Sequence, residues 1–378
     1  MRRRDYAQKI ARTALKRLRT PDGFVAGAHH FVDLWARDSL FATFGANVSG
    51  LSAASRATIE SFLHRKRRDG LAPFLIRKSK LTVGKYFGHP EYLTHPRRQF
   101  RSSQSGGIVP DGGLMAIIAM RDYIGRAKDI SVLKKEYTAL KQAIDWYERK
   151  FRGNLIFEWF QCEWADAVLK TGSTLYTNVL YWKALGDMAH LARQHHQVAD
   201  ARTYADRQKR IGLLLRQQFW NGTFFADWRR FIRHDYFASH PNMLAIVFGL
   251  ATNDEANSIL AYAESHCWNG FTLETNYPKY PYWRIPLLNY LTGMADYHNR
   301  GCKWLQPGIL FAYALWLQKR KTKARNVLDA IADIIARHQD VYEIYTGKGI
   351  PVARLLYTAE HPFAWSAGLF LWVADTVY

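Results

Sequence analysis

Carboxylate side chains stand beside tryptophan and tyrosine at several points in the sequence. The groups are Trp35, Arg37 and Asp38; Asp111; Glu158, Trp159, Glu163, Trp164 and Asp166; and Tyr342, Glu343 and Tyr345. Sugar rings stack on aromatic side chains, and their hydroxyls need carboxylates and guanidinium groups as hydrogen-bond partners. Hydrolysis of a glycosidic bond also requires two carboxyl groups, one protonated and one ionised. The pattern therefore indicates a site that binds and hydrolyses a glycoside.

Each of these residues also has a purely structural interpretation. Asp38 and Asp111 stand before helical patterns and could be N-caps, and for Asp111 the spacing alone favours the cap. Asp166 could cap a loop, Glu343 could be an ordinary charge near a helix end, and Tyr345 could belong to the core. Only the combination of the groups favours chemistry over packing.

The composition indicates a folded protein with a large core. Of the 378 residues, 48% are hydrophobic and 15% are aromatic, which is far from the composition of disordered chains. Lys and Arg number 53 against 32 Asp and Glu, so the net charge of +21 biases encounters toward anionic partners. The basic residues are dispersed and no nucleic-acid-binding motif accompanies them, so we expect no nucleic-acid partner.

The cysteines and the hydropathy pattern bear on the compartment. The three cysteines are too few and too scattered for a disulfide framework or a zinc site. The basic N-terminus lacks the apolar core of a signal peptide, and no run of about 18 apolar residues occurs. We therefore expect a cytoplasmic protein without a membrane partner.

Most of the chain shows the three- and four-residue apolar spacing of amphipathic helices. Predicted helices cover residues 4–19, 51–66, 112–125, 130–147, 174–195, 199–218, 239–249, 253–265, 307–319, 327–335 and 363–377. The loops between them are rich in glycine, proline and aromatic residues, and several are long, which in a compact domain is typical of functional segments. No linker interrupts the series. The sequence therefore predicts an all-α protein of helical hairpins closed into one ring, as a single domain over residues 1–378.

A series of short motifs, taken in order, resembles a known group of enzymes. The motifs are Phe31–Ser39 with its WxRD element; Gly70–Pro73; Val109–Leu114 followed by Tyr123; Glu163–Ala167 followed by Thr174–Leu185; Phe219–Trp220 and Asp227; His240–Asn242; Tyr297–Asn299 and Trp304; and Glu343–Tyr345, Gly347–Gly349 and Phe363–Ala367. This series, over residues 30–368, resembles the amylo-glucosidase domain of glycogen-debranching enzymes and the related processing alpha-glucosidase, mannosylglycerate hydrolase and neutral invertase families.

The resemblance implies an (α/α)6 toroid and hydrolysis with inversion of a terminal alpha-glucosyl or similar residue, without a metal or cofactor. It implies that Asp166 is the general acid and Glu343 the general base. The substrate would be an oligosaccharide or a small glycoside. The residues expected to contact it are Trp35, Arg37, Asp38, Asp111, Glu163, Trp164, His298, Trp304, Tyr345 and Trp365.

Several alternatives stay open on the sequence alone. Glu163 stands where the family has a threonine and is a second candidate for the acid. The family also has a glutamate in the helix after the acid, where this chain has Tyr176, Thr177 and Asn178. The substrate could instead be sucrose, trehalose or a glycerate glycoside, or the toroid could bind carbohydrate without cleaving it. No oligomeric state is predicted.

Overall fold

The computed structural model describes residues 2–86 and 88–378, and more than half of these residues lie in helices. The α-helices are α1 (Arg3–Leu18), α2 (Ala36–Asn47), α3 (Ser52–His64), α4 (Val83–Tyr86), α5 (Asp111–Ala127), α6 (Ile130–Phe151), α7 (Leu175–Gln194), α8 (Val198–Phe219), α9 (Ser239–Val247), α10 (Asn253–His266), α11 (Leu287–Leu291), α12 (Leu305–Leu317), α13 (Lys321–His338) and α14 (Ala364–Val377).

Twelve of these helices form two concentric rings. The inner ring is α2, α5, α7, α9, α12 and α14, in which each helix contacts the next and α14 closes against α2. The outer ring is α1, α3, α6, α8, α10 and α13, each packed against inner helices. Inner and outer helices alternate along the chain, so the fold is an (α/α)6 toroid of six helical hairpins. This confirms the predicted fold class.

Periodicity predicted every helix of the two rings except α2. An outer helix such as α13 buries one apolar stripe and exposes a charged face, which is the pattern that predicts a helix. In α2, by contrast, every residue from Ala36 to Ala46 is buried, so no polar face alternates with an apolar one. α2 was absent from the predicted helices, whereas α14, which is buried in the same way from Ala364 to Ala374, was predicted.

The connections give the toroid two different ends. The chain passes from each inner helix to the following outer helix through short turns, such as residues 128–129 and 195–197. It returns from each outer helix to the next inner helix through long segments, which therefore all lie at the end where the inner helices begin. These segments are residues 19–35, 65–110, 152–174, 220–238, 267–304 and 339–363. We call this end the loop end.

Small antiparallel sheets tie the long segments together at the loop end. Their strands are β1 (Arg19–Thr20), β2 (Gly23–Phe24), β3 (Leu34–Trp35), β4 (Leu75–Ser79), β5 (Tyr92–Gln99), β6 (Ser173–Thr174), β7 (Ala226–Arg229), β8 (Arg233–Ala238), β9 (Asn276–Tyr277), β10 (Lys303–Trp304), β11 (Ile344–Tyr345), β12 (Ala353–Arg354) and β13 (Tyr357–Thr358). In the β10–β11 pair, Trp304 lies opposite Ile344, and Ile344 is the residue that follows Glu343 in the sequence. Sheets of this size therefore fix loops that are far apart in sequence.

Ring closure depends on a close contact between two glycines. A β-carbon added to Gly45 of α2 would lie 2.2 Å from the carbonyl oxygen of Gly368 in α14. Because that neighbour is backbone, we expect Gly45→Ala to lower the free energy of unfolding by about 1–3 kcal/mol, as overpacked cores do. Denaturant unfolding measures this.

A matched control for Gly45 is Gly125→Ala in α5. A β-carbon there meets only the flexible end of the Arg121 side chain, at 2.9 Å. Alanine also has the higher helix propensity, by about 1 kcal/mol. We therefore expect Gly125→Ala to leave stability unchanged or to raise it. Equal stability changes in the two variants would contradict the role given to the Gly45 contact.

Candidate active site

A cavity with about 410 Å³ of empty space opens among the loop-end segments. Its lining residues are Phe31, Trp35, Arg37, Asp38, Trp164, Asp166, Tyr297, His298, Trp304, Glu343, Phe363 and Trp365. Nine of the site residues predicted from the sequence belong to this set, including both proposed catalytic carboxyl groups. Three others, Asp111, Glu163 and Tyr345, do not line the cavity.

The first turn of α2 brings a guanidinium group and a carboxyl group into the cavity wall. Arg37 is buried, and its Nη1 donates to Asp111 Oδ2 at 3.1 Å while its Nη2 lies 3.6 Å from Asp166 Oδ2. Burial raises the pKa of Asp38 to about 7, although the positive charge of Arg37 acts in the opposite direction. Arg37 thus links one proposed catalytic carboxyl group to a buried carboxylate behind the wall.

Neither of the aspartates considered as helix caps has that role. The N-cap residues of α2 and α5 are Trp35 and Pro110, and neither side chain caps its helix. Asp111 is the first residue of α5 and is fully buried. It acts on the cavity through Arg37, so it positions that side chain and does not contact the cavity itself.

Asp166 lies on the segment between α6 and α7, where solvent can reach it. Its side chain is 40% exposed, with His298 Nδ1 at 3.7 Å from Oδ1. The surrounding protein still raises the pKa of Asp166, an effect that the nearby Arg37 opposes. A carboxyl group with a raised pKa that solvent can reach is able to donate a proton to a bound molecule.

His298 is neutral, and its tautomer follows from its contacts. Burial lowers its pKa far below the usual value, with Lys170 and Arg37 adding to the effect. The backbone N–H of Ala167 donates to His298 Nδ1 at 3.3 Å, so Nδ1 carries the lone pair and Nε2 carries the proton. The ring therefore offers a hydrogen-bond donor in the cavity wall.

Asn178, which stands near the position of the family's glutamate, fastens the loop that carries Asp166. Its Oδ1 accepts from the N–H of Ile156 at 2.7 Å, and its Nδ2 donates to the carbonyls of Ile156 and Thr174 at 3.1 and 2.8 Å. Asn242, the fourth residue of α9, makes the same three bonds to Phe225 and Ala238. Asn178 therefore has a structural role that recurs in the next hairpin.

Glu163, the alternative candidate for the acid, lies in a buried ionic cluster behind the cavity wall. Lys170 Nζ contacts Glu163 and also donates to both carboxylate oxygens of Asp227, at 3.1 and 3.2 Å. Burial raises the pKa of Glu163, and the charge of Lys170 opposes this. The structure thus gives Glu163 a charge partner and a place outside the cavity. Lys170 was not identified from the sequence.

Glu343 is buried in the opposite part of the wall and accepts three hydrogen bonds. The Tyr297 hydroxyl donates to Oε1, while the Tyr357 hydroxyl and the Glu360 N–H donate to Oε2 at 2.6 and 3.3 Å. Burial raises the pKa of Glu343 to about 8, and these three bonds act in the opposite direction because they stabilise the ionised form. Such a carboxylate is oriented to take a proton from a water molecule.

Glu360 joins the Glu343 loop to the loop before α2. Its fully buried carboxylate accepts the backbone N–H groups of four consecutive residues, Ala28 to Phe31, at 2.7–3.0 Å. Its own backbone pairs with Glu343, whose N–H donates to the Glu360 carbonyl at 2.9 Å. Glu360 and Tyr357 were not among the predicted site residues, because they lie between the Gly347–Gly349 and Phe363–Ala367 motifs and no motif covers them.

Aromatic rings form the rest of the wall. Trp164 meets Trp304 and Trp365 edge to face, each with ring centroids 6.1 Å apart. His298 stacks on Trp304 at 5.0 Å. Tyr345 does not belong to this wall: it is fully buried in β11, and its hydroxyl accepts from the Tyr342 N–H at 2.9 Å. The structure therefore places Tyr345 in the core, as in the structural interpretation of its sequence motif.

Comparison with known proteins agrees with this architecture. The family described as the bacterial alpha-L-rhamnosidase six-hairpin glycosidase domain matches residues 98–275, which include Asp166 and exclude Glu343. A search of curated proteins returned no significant match.

Several solved structures are similar over nearly the whole chain. A glycosidase in complex with glucose is 15% identical, with a TM-score of 0.74 over 99% of this chain and 97% of that chain. A mannosylglycerate hydrolase of glycoside hydrolase family 63 from Thermus thermophilus is 14% identical, with a TM-score of 0.72 over 97% and 99%. A rhamnosidase from Klebsiella oxytoca with rhamnose bound is 13% identical, with a TM-score of 0.70 over 100% and 64%. The fold is therefore that of six-hairpin glycosidases, and the resemblance predicted from the motifs is confirmed.

Proposed function

We propose that this chain, which has the six-hairpin glycosidase fold, hydrolyses the bond to a terminal alpha-glucosyl residue with inversion, using Asp166 as general acid and Glu343 as general base. The observation that carries the proposal is that one aromatic cavity brings these two carboxyl groups together from segments on different sides of the ring. The raised pKa of Asp166 suits a proton donor, and the three hydrogen bonds that Glu343 accepts stabilise the ionised form that a base needs.

The sugar would lie between aromatic faces and charged groups. Trp35 and Trp304 line the cavity and offer apolar faces on which a pyranose ring can stack. Arg37 and Asp38, also in the lining, would bond its hydroxyls, and the Nε2–H of His298 would add a donor. The cavity needs no metal or cofactor for these contacts.

The chemistry would balance with one water molecule. Asp166 gives its proton to the glycosidic oxygen as the bond to the anomeric carbon breaks. Glu343 takes a proton from water as the water oxygen bonds the opposite face of that carbon. The products are the free alcohol and a sugar of inverted anomeric configuration, and proton exchange with solvent restores both carboxyl groups.

A substrate panel followed by NMR tests this proposal. The panel contains aryl alpha-glucosides, sucrose, trehalose and glycerate glycosides, and the anomer formed first is recorded before mutarotation. We expect beta-glucose from an alpha-glucoside. Release of alpha-glucose would contradict inversion. Binding of sugars without release from any substrate would favour a non-catalytic carbohydrate-binding toroid.

A second candidate substrate is an alpha-L-rhamnoside. The family match over residues 98–275 favours it, because that family is described by its rhamnosidase activity. The same panel therefore includes an aryl alpha-L-rhamnoside. If the rhamnoside is hydrolysed faster than the glucoside, the proposed substrate becomes an alpha-L-rhamnoside. The proposed roles of the two carboxyl groups stay the same.

The hydrogen bonds on Glu343 predict a change in pH dependence. The base must be ionised and the acid protonated, so kcat/KM falls on both sides of an optimum. Tyr297→Phe removes a donor that stabilises ionised Glu343, so the pKa of Glu343 rises. A hydrogen bond to a charged group contributes about 1.5 kcal/mol, which corresponds to about one pH unit. We expect the limb of the profile that belongs to Glu343 to move upward by about that amount.

Tyr345→Phe is the matched control for the pH profile. Tyr345 is a buried tyrosine, but its hydroxyl bonds the backbone of Tyr342 and not Glu343. We expect both limbs of the kcat/KM profile of Tyr345→Phe to coincide with those of the unmodified protein. A profile of Tyr297→Phe that also coincides with that of the unmodified protein would contradict the assignment of Glu343 as a titrating catalytic group.

A further inference from the structure

Ten large apolar side chains are exposed on three segments of the loop end. We call them the apolar rim: Phe231, Ile232, Tyr282, Trp283, Leu287, Leu288, Tyr290, Leu291, Leu355 and Leu356. Exposure reaches 82% at Phe231 and 96% at Leu355. Soluble proteins rarely expose large side chains in such groups unless something covers them. The rim is therefore a candidate interaction surface.

Direct contacts hold the three segments of the rim next to one another. Arg284 lies with its guanidinium 5.2 Å from the ring centroid of Trp228, in the strand that leads to Phe231. Arg354, at the base of the hairpin that carries Leu355, donates to Asp296 at 2.6 Å. The segment around residues 282–296 therefore contacts both of the others, through Arg284 and Asp296.

The rim lies beside the cavity. The same segments that carry its side chains continue into Tyr297 and Tyr357, whose hydroxyls bond Glu343. Both tyrosines follow the rim residues within a few positions along the chain. Whatever covers the rim will therefore lie at the end of the toroid where the cavity opens.

The rim is also strongly cationic. Residues 229–235, 279–296 and 347–358 contain seven Lys and Arg and two Asp. Each of the two aspartates is paired with an arginine of the same segments: Asp235 with Arg233, and Asp296 with Arg354. The remaining cations include Arg230, whose guanidinium lies 4.9 Å from the ring centroid of the exposed Phe231. Exposed apolar side chains and an excess of cations thus share the same three segments.

We propose that the apolar rim docks this protein on an anionic lipid bilayer. Aromatic and aliphatic side chains favour the boundary between headgroups and acyl chains, and flanking Lys and Arg are attracted to anionic headgroups. A second copy of the chain is the less favourable occupant, because two such faces carry the same charge and repel each other. Docking turns the cavity end toward the membrane.

This proposal departs from the sequence-based expectation of no membrane partner. That expectation rested on the lack of a long apolar stretch. Among the helices that the structure describes, none is long and apolar enough to cross a bilayer. Docking through loop tips needs no such helix, since only the side chains of the rim enter the interface.

Sedimentation with lipid vesicles tests the proposal without any substrate, so its outcome is independent of the proposed hydrolysis. The vesicles contain equal parts of phosphatidylglycerol and phosphatidylcholine, or phosphatidylcholine alone. We expect binding to the anionic vesicles that weakens as salt is added. The double variant Phe231→Ser, Ile232→Ser should bind them about 10-fold more weakly, because two apolar side chains no longer enter the interface.

The matched control changes two apolar residues that are exposed at the other end of the toroid. Val198→Ser, Leu317→Ser removes side chains that are 76% and 43% exposed at the ends of α8 and α12. We expect this variant to bind like the unmodified protein. Equal binding to both kinds of vesicle, or equal weakening in the two double variants, would overturn the proposal. So would a dimer in solution that the Phe231→Ser, Ile232→Ser variant abolishes, since a second copy would then cover the rim.

Discussion

Asp166→Asn and Glu343→Gln are each expected to lower kcat by roughly 10²- to 10⁴-fold, the usual contribution of a positioned acid or base. The two variants keep the size of the side chain and remove its ability to exchange a proton. Because Arg37 and Asp38 also contact the cavity, substrate binding should persist and KM should change little. Steady-state kinetics on the best substrate of the panel measures both constants.

The leaving group separates the two roles. In a dinitrophenyl glycoside the leaving group departs as a stable anion without being protonated. Hydrolysis of such a substrate therefore does not need the general acid. We expect Asp166→Asn to recover most of its lost activity on that substrate and Glu343→Gln to recover none. Recovery in both variants, or in neither, would contradict the assignment.

Two other carboxyl groups serve as comparisons in this experiment. Glu163 is paired with Lys170 behind the wall, and Asp38 lines the cavity with a pKa of about 7. Asp38→Asn and Glu163→Gln are expected to show the same deficit on good and poor leaving groups, since neither carboxyl group is the proposed proton donor. Selective recovery of Glu163→Gln or Asp38→Asn on the dinitrophenolate substrate would transfer the role of the acid to that residue.

Glu360→Gln is expected to combine a loss of stability with a loss of activity. The glutamate side chain accepts four backbone N–H groups of residues 28–31, whereas a glutamine turns one N–H₂ group toward these donors. The variant loses about two hydrogen bonds to a charged group, each of which contributes roughly 1.5 kcal/mol. The free energy of unfolding should therefore fall by about 3 kcal/mol. Denaturant unfolding measures this effect.

Activity should also fall, because Glu360 holds two parts of the cavity together. It positions Glu343 through backbone bonds and fixes the loop that carries Phe31. A displacement of about 1 Å at a reacting group can lower the rate roughly 100-fold. A positioning role predicts a lower kcat and a shifted Glu343 limb in the pH profile even under conditions where the variant is fully folded. A loss of stability alone would show that Glu360 is merely structural.

Glu91→Gln is the matched control for Glu360. Glu91 is exposed, and its carboxylate pairs with Lys80 at 2.9 Å. Exposed ion pairs contribute about 0–1 kcal/mol, so we expect almost no change in stability or activity. A comparable loss in both variants would show that the environment of Glu360 has no special role.

The sequence predicts some helices of this fold better than others, and for the outer helices the reason is physical. Outer helices such as α13 were predicted because one face is solvated and the other is buried. The inner helix α2, which is buried from Ala36 to Ala46, was not predicted, although α14 is buried in the same way and was. Trp304 and Trp365 lie in the cavity wall, whereas Tyr345 in β11 packs inward.

Local periodicity in the sequence by itself determined that helices dominate the fold. The ordered motifs, through their resemblance to known glycosidases, implied the toroid and made Asp166 and Glu343 the candidate acid and base. Only the tertiary structure decided which carboxyl groups share the cavity, since Asp166 and Glu343 meet there while Glu163 turns to Lys170. It also decided that Glu360 supports the wall and that the three segments with exposed apolar side chains contact one another. Contacts between distant segments arise from ring closure, and the sequence has no local signal for them.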